Sequence, residues 1–266
     1  MKDIKGFLDA GISVAAINYR YSTQAIFPAP FRDCARAIQY LRLRAKDWNI
    51  NPEKIGATGG SAGAGISLWL AFHDDLADRQ NADPVLRQSS RIQCVFGRVA
   101  QCSYDPRWIK EHVGGLAYQN GALQQLFGLK VKPEEVLTAT QAFSMYKESS
   151  PINHLTKDDK AAVCLCNGGD EPNNTQPGAG IHSRKFREAL KAAMDKLGLT
   201  CELVNERDST QLEFFKKALE MVPSATRAAA PPAKEQSAPK TATDPIAKGQ
   251  RVFTSVTACT SGLPTC

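Results

Sequence analysis

The sequence predicts an α/β protein, a mostly parallel sheet with helices on both faces. Three observations carry this. Short β-branched runs such as GISVAAINY (11–19), Ile92 to Val99 and Ala161 to Asn167 recur along the chain. Between them lie longer stretches whose apolar residues repeat at helical spacing. The two alternate, strand then helix, with helices of about 12 to 18 residues, which argues for a parallel sheet with helices on both faces.

Taken in order, GISVAAINY reads as a buried strand bounded by turn formers. FRDCARAIQYLRLRAKDW (31–48) follows, with Cys34, Ala37, Ile38, Leu41 and Ala45 on one helical face and arginines on the other. INPEKIGATGG gives a proline turn and a strand over Lys54 to Thr58. A helix is expected from Ala62 to about Ala77, then the polar loop HDDLADRQNADP. Residues 105–150 are mixed, with aromatics, a Gly-Gly pair and two expected helices. HSRKFREALKAAMDKLG (182–198) is an amphipathic helix stopped by Gly198. CELVN (201–205) is a strand and TQLEFFKKALEM (210–221) a last helix. At Pro223 the composition changes. The stretch 223–245, rich in Pro and Ala, cannot bury a core and reads as a linker. The tail 246–266 regains some apolar character but is too short to fold alone.

Bulk composition narrows the function classes. The chain has 266 residues, 42% hydrophobic and 23% charged, enough apolar material for one large domain with an appendage. Its net charge of +6 is spread along the chain and partly lies in the tail, which is a solvated surface rather than a nucleic-acid face. No run approaches the about 18 apolar residues of a membrane span. MKDIKGFLDAGISVAAINYR is not a signal peptide, since its apolar run ends at Asn18. The eight cysteines have no metal-binding spacing, and Cys164 and Cys166 read as small hydrophobes in a buried strand.

The chemistry-bearing motif is Gly59-Gly60-Ser61-Ala62-Gly63, a G-x-S-x-G between a strand and a helix. Such a turn holds a serine nucleophile on a strained backbone, so the positions two before and two after it must be nearly free of side chain. These are Gly59 and Gly63. The helix that follows aims its first N–H groups at the same point, favouring a developing oxyanion. A phosphate-binding loop would need Lys-Ser or Lys-Thr after the last glycine, where Ala64-Gly65 stands. A dinucleotide fingerprint fits only with broken spacing.

NYR (18–20), the Pro28/Asp33 stretch, INPEKIG, GGSAG and SPINHLTKDDKAAVCLCNGGDEP (150–172) together resemble the α/β-hydrolase superfamily. The likeness is to its hormone-sensitive-lipase-like and feruloyl-esterase-like carboxylesterases, over roughly residues 6 to 221. The resemblance implies a serine hydrolase acting on small-molecule carboxylic esters by acyl transfer, without cofactor or metal. It makes Ser61 the nucleophile and the backbone N–H of Ala62 an oxyanion donor. The acid is Asp170 or Glu171, and residues 105–150 form a cap over a core spanning 1–222.

The sequence departs from that pattern in three ways. The His-Gly-Gly-Gly loop expected before the first strand is absent, as is a strand expected between those at 11–19 and 54–58. That suggests an N-terminally truncated hydrolase with two unpaired buried strand edges. The loop after CELVN, NERDST, holds no histidine. Of the four in the chain, His73 is about 18 Å along the elbow helix from Ser61. His154 reads as a polar loop residue, and His112 belongs to the cap. His182 is the best candidate base. Finally, AKGQRVFTSVTAC is similar to the opening of a cytochrome c domain, where a helix runs into C-x-x-C-H. Cys259 is followed by TSGLPTC, so no haem can be anchored there. The alternative to an enzyme is a hydrolase fold that binds without turnover.

Overall fold

The computed structural model describes residues 4–167, 180–205, 208–220 and 250–256. Strands β1 (Ile12–Ile17), β2 (Ile50–Gly60), β3 (Cys94–Arg98), β4 (Ala162–Asn167), β5 (Cys201–Asn205) and β6 (Gln250–Val256) form one sheet in the order β1-β6-β2-β3-β4-β5. Every neighbouring pair is parallel. Helices α1 (Ile4–Asp9), α2 (Ala29–Leu43), α3 (Ala62–Phe72), α7 (Lys185–Lys196) and α8 (Asp208–Glu220) pack against it.

Alternation along the strands sorts the core into two layers. Val95, Val163 and Leu165 point to the layer holding α2, α3 and α7, with Phe31, Ile38, Trp69, Phe186 and Leu190. Cys94, Phe96, Cys164 and Cys166 point the other way, onto α1 and α8 through Phe7, Phe214, Phe215 and Leu219. The thiols at 34, 94, 102, 164, 166 and 201 are buried. Desolvation pushes the pKa of Cys164 and of Cys201 up to about 12, so both act as small apolar groups. Gln211 ties α8 to the sheet by donating to Thr58 Oγ1 at 3.0 Å.

The expected gap in the sheet is filled, which corrects the prediction of two unpaired edges. Strand β6 lies between β1 and β2, with Val252 opposite Ser13 and Ile55 and Thr254 opposite Ala15 and Ala57. Parallel edges buried on both faces cannot turn to water, so a segment that supplies N–H and C=O groups to both is strongly favoured. Gln250–Val256, in the tail, is thus a strand of this sheet.

Helix α3 ends at Phe72, short of Ala77, because His73 is extended (ψ 149°) and Asp75 takes over backbone donors. Its carboxylate accepts from Ser90 N at 2.8 Å and Ala77 N at 3.1 Å, competing with a further helical turn. Helix α2 stops at Leu43, before Trp48. The buried Arg42 side chain donates to the carbonyls of Ser89 and Arg91, and burial lowers its pKa to about 10.

Residues 105–150 carry three short helices rather than two: α4 (Pro106–His112), α5 (Gly121–Phe127) and α6 (Phe143–Ser149), with one 3-10 helix between the first two and two between the last two. Asp105 caps α4 and Asn120 caps α5. Phe127 and Tyr146 meet edge-on at 4.7 Å, and Tyr146 Oη donates to Val136 O at 2.9 Å. Two marks of the resemblance prove to be one contact: Arg20 grips Asp33 through Nε at 2.9 Å and Nη2 at 2.7 Å. That paired hydrogen bond holds the Asp33 carboxyl below its usual range.

Candidate active site

Ser61 stands alone between the last residue of β2 and the first of α3, at φ 49° and ψ −118°. This is a backbone region that non-glycine residues avoid, and it is the strain of a strand-to-helix elbow. Two hydrogen bonds hold it: Ser61 N donates to Arg98 O at 2.9 Å, and Gly65 N donates to Ser61 O at 3.0 Å. Sterics explain the glycine before it. A Cβ at Gly59 would lie 2.4 Å from the carbonyl carbon of Gly63 and 2.7 Å from Ala64 N, both backbone atoms that cannot yield. Gly60, in contrast, faces open space. Gly59→Ala should therefore cost about 1–3 kcal/mol or more in urea unfolding, as overpacking does, whereas Gly60→Ala should cost under about 1 kcal/mol.

Ser61 Oγ lies 2.8 Å from His182 Nε2. The two residues are 121 apart in sequence, and two contacts help bring them together. Gln101 Nε2 donates to Ile181 O at 2.8 Å and to Val99 O at 3.0 Å, pinning the residue next to His182 to the end of β3. Lys185 Nζ donates to Val113 O at 2.8 Å and ties the start of α7 to the residue that follows α4. His182 precedes α7 by three residues instead of opening the helix. Burial lowers its pKa below the ordinary histidine value of 6.5, which keeps the imidazole neutral and able to accept a proton.

Both side chains open onto a cavity of about 200 Å³ walled by Tyr19, Phe31, Ile66, Tyr104, Leu123 and Leu126. Ala62 also lines it, and as the first residue of α3 it carries an N–H with no intrahelical partner. Burial raises the pKa of Tyr19 and Tyr104, so both keep their hydroxyl protons. Tyr104 Oη rests against Gly65, where a Cβ would be 1.9 Å away, and it has no hydrogen-bond partner among the described residues.

The sequence profile of BD-FAE matches residues 1–176. The chain belongs to the BD-FAE family. The matched span takes in β1 to β4 with Ser61 and the helices α4, α5 and α6. This BD-FAE chain is 36% identical over 62 residues to the acetyl esterases of Salmonella paratyphi B and Salmonella choleraesuis. That match covers 23% of the chain and only 19% of each relative, so the chain spans about a fifth of the length of the curated relatives it matches. Among solved structures it is similar to an acetyl ester-xyloside bifunctional hydrolase from Caldicellulosiruptor lactoaceticus. There the TM-score is 0.54 and the identity 24%, over 80% of this chain and 71% of that one. It is also similar to a bifunctional GH43-CE protein of Bacteroides eggerthii, with a TM-score of 0.59 and 21% identity over 80% of this chain and 30% of that one. These two likenesses show the fold alone, the mostly parallel sheet with helices of an α/β-hydrolase.

Of the residues singled out in the sequence, the structure brings Ser61, Ala62 and His182 to one cavity. Asp170 and Glu171 lie outside the described residues. His112 stacks on Trp108 at 4.3 Å in α4. His73 and His154 meet each other at the far end of α3. Gln101 and Tyr104 carry no local motif, and the sequence offered no signal for them; Tyr19 lies in the NYR mark, but nothing local showed that it would wall the cavity. No helix among the described residues is long and apolar enough to cross a membrane.

Proposed function

We propose that this chain hydrolyses small carboxylic esters by acyl transfer to Ser61, with His182 as the general base. The observation that carries the reading is the 2.8 Å contact between Ser61 Oγ and His182 Nε2 on a strained elbow facing a cavity. His182 Nε2 takes the hydroxyl proton as Oγ attacks the ester carbonyl, and the oxyanion develops against the Ala62 N–H. His182 returns the proton to the departing alcohol. A water then attacks the acyl-enzyme through the same histidine. Asp170 or Glu171 would orient the imidazole through its other nitrogen.

The substrate class follows from the cavity. About 200 Å³ is below the roughly 300–1,000 Å³ of sites for drug-sized ligands, and its walls are mostly apolar. It suits an acyl group of a few carbons, in keeping with relatives named acetyl esterases. A fluorophosphonate probe tests the reading: Ser61 should carry the adduct, and p-nitrophenyl acetate should turn over faster than the octanoate. Labelling elsewhere, or none, overturns it.

The pH dependence has a definite sign. His182 acts as a base only when neutral, and burial lowers its pKa. Activity should be full at neutral pH and fall only in acid, with the kcat/KM inflection below 6.5. An inflection above that value would exclude His182 in its buried environment. A non-catalytic binding role is the second reading, favoured by one observation: among the described residues no carboxylate is hydrogen-bonded to His182. The turnover assay separates the two.

A further inference from the structure

At the opposite end of α3 from Ser61, three side chains converge whose chemistry the esterase reading does not use. His73 caps the C-terminus of α3, Glu148 lies in α6 and His154 follows the 3-10 turn Pro151–Asn153. One ligand atom of each lies within 4.8 Å of the others. We propose that His73, Glu148 and His154 bind a divalent first-row transition metal ion, zinc by chemistry, that staples the cap to the nucleophile helix.

Hydrogen bonding to the far sides of the imidazoles is the main support. His73 Nδ1 lies 2.8 Å from Asp74 O, and His154 Nε2 lies 2.7 Å from Glu148 O. A carbonyl can only accept, so each of these nitrogens carries its ring's proton. In the neutral rings the lone pairs are then on His73 Nε2 and His154 Nδ1. Metal-binding histidines are held in just this way, one nitrogen donating to a carbonyl while the other ligates. His73 Nε2 already sits 2.8 Å from Glu148 Oε1. With the Nδ1 proton committed, that contact needs either a second proton on the ring or a cation shared by the two groups.

The supporting frame is stiff. His73 lies against Trp69 with ring centroids 4.0 Å apart, and the His73 and His154 rings are 4.6 Å apart. Trp69 Nε1 donates to Glu148 O at 2.9 Å, so this carbonyl holds both the tryptophan and His154. Arg91 is engaged on the backbone side: Nη1 donates to His73 O at 2.7 Å and Nη2 faces Asp159 at 3.4 Å. Glu148 is half exposed, so its carboxylate is free to shift toward the spacing that ligation needs. Ligands of tetrahedral zinc stand roughly 3.3 Å apart. Two imidazoles with one carboxylate suit zinc and its first-row neighbours and disfavour calcium and magnesium, which take oxygen ligands. A fourth position stays open to water.

The test is a zinc titration of the metal-stripped full chain against a chromophoric chelator, in wild type, Glu148→Gln and His154→Gln. The expected result is one equivalent bound by the wild type and affinity at least about tenfold weaker in each variant. Zinc should also raise the melting temperature of the wild type and leave both variants unmoved, since a ligand stabilises only the state that binds it. Unchanged affinity in both variants would assign the zinc to other groups, such as the cysteines, and overturn the proposal. So would an absence of binding, which would leave His73 and Glu148 as a plain ion pair. None of these readouts depends on esterase activity.

Discussion

Ser61→Ala is expected to lower kcat for p-nitrophenyl acetate by about 10³–10⁶-fold and to abolish fluorophosphonate labelling. The melting temperature should change little, because Ser61 Oγ makes one hydrogen bond, to a histidine that can take water instead. His182→Ala should match that loss in rate, and the double variant should be no worse than either single one. Residues that act as one proton-transfer unit are not additive, and removing either partner leaves only the residual contribution of oxyanion binding and proximity. A His182→Ala enzyme that retained wild-type kcat would show the 2.8 Å contact to be structural only.

Thr254→Pro is expected to be the most destabilising single substitution in the sheet, costing about 2–4 kcal/mol in urea unfolding. Thr254 lies in register with Ala15 on one side and Ala57 on the other, so its backbone is at the centre of a three-strand parallel run. Proline removes the ladder N–H, leaves a buried carbonyl unpaired on a neighbouring strand and adds ring bulk against it. Against a typical stability of about 5–15 kcal/mol, such a loss is visible as a shifted midpoint and as faster hydrogen exchange in β1 and β2. Thr254→Ala keeps the N–H and should cost under about 1 kcal/mol. Equal midpoints for the two variants would mean that β6 contributes nothing to the sheet.

Strands and helices were legible wherever one periodicity dominated. CELVN is β5 to the residue, and the apolar run at Ala161–Asn167 is β4 with one residue trimmed. Gly198 ends the helical pattern after α7 as expected, at φ 73°. Errors came where side chains compete with the backbone. Helix α3 stops early because Asp75 captures two N–H groups from a segment fifteen residues on and from its own turn, a contact no local pattern displays. Residues 105–150 were under-read by one helix, because their helices are seven residues each, only about two turns, too few repeats for a periodicity to stand out.

The elbow was readable because its demands are local: Gly59 must lack a side chain where β2 turns against Gly63, and both lie within five residues of sequence. His182 could be ranked among four histidines but not placed, since its distance from Ser61 depends on the tertiary contacts made by Gln101 and Lys185. The sequence by itself determined the alternation of strands and helices, the nucleophile turn and the absence of a histidine after β5. Tertiary structure alone decided which histidine meets Ser61 and which segment fills the sheet between β1 and β2. The reason is physical: turn sterics and periodicity act over a few residues, whereas hydrogen-bond partners and strand neighbours are chosen in space, by whichever group satisfies a buried donor or acceptor at least cost.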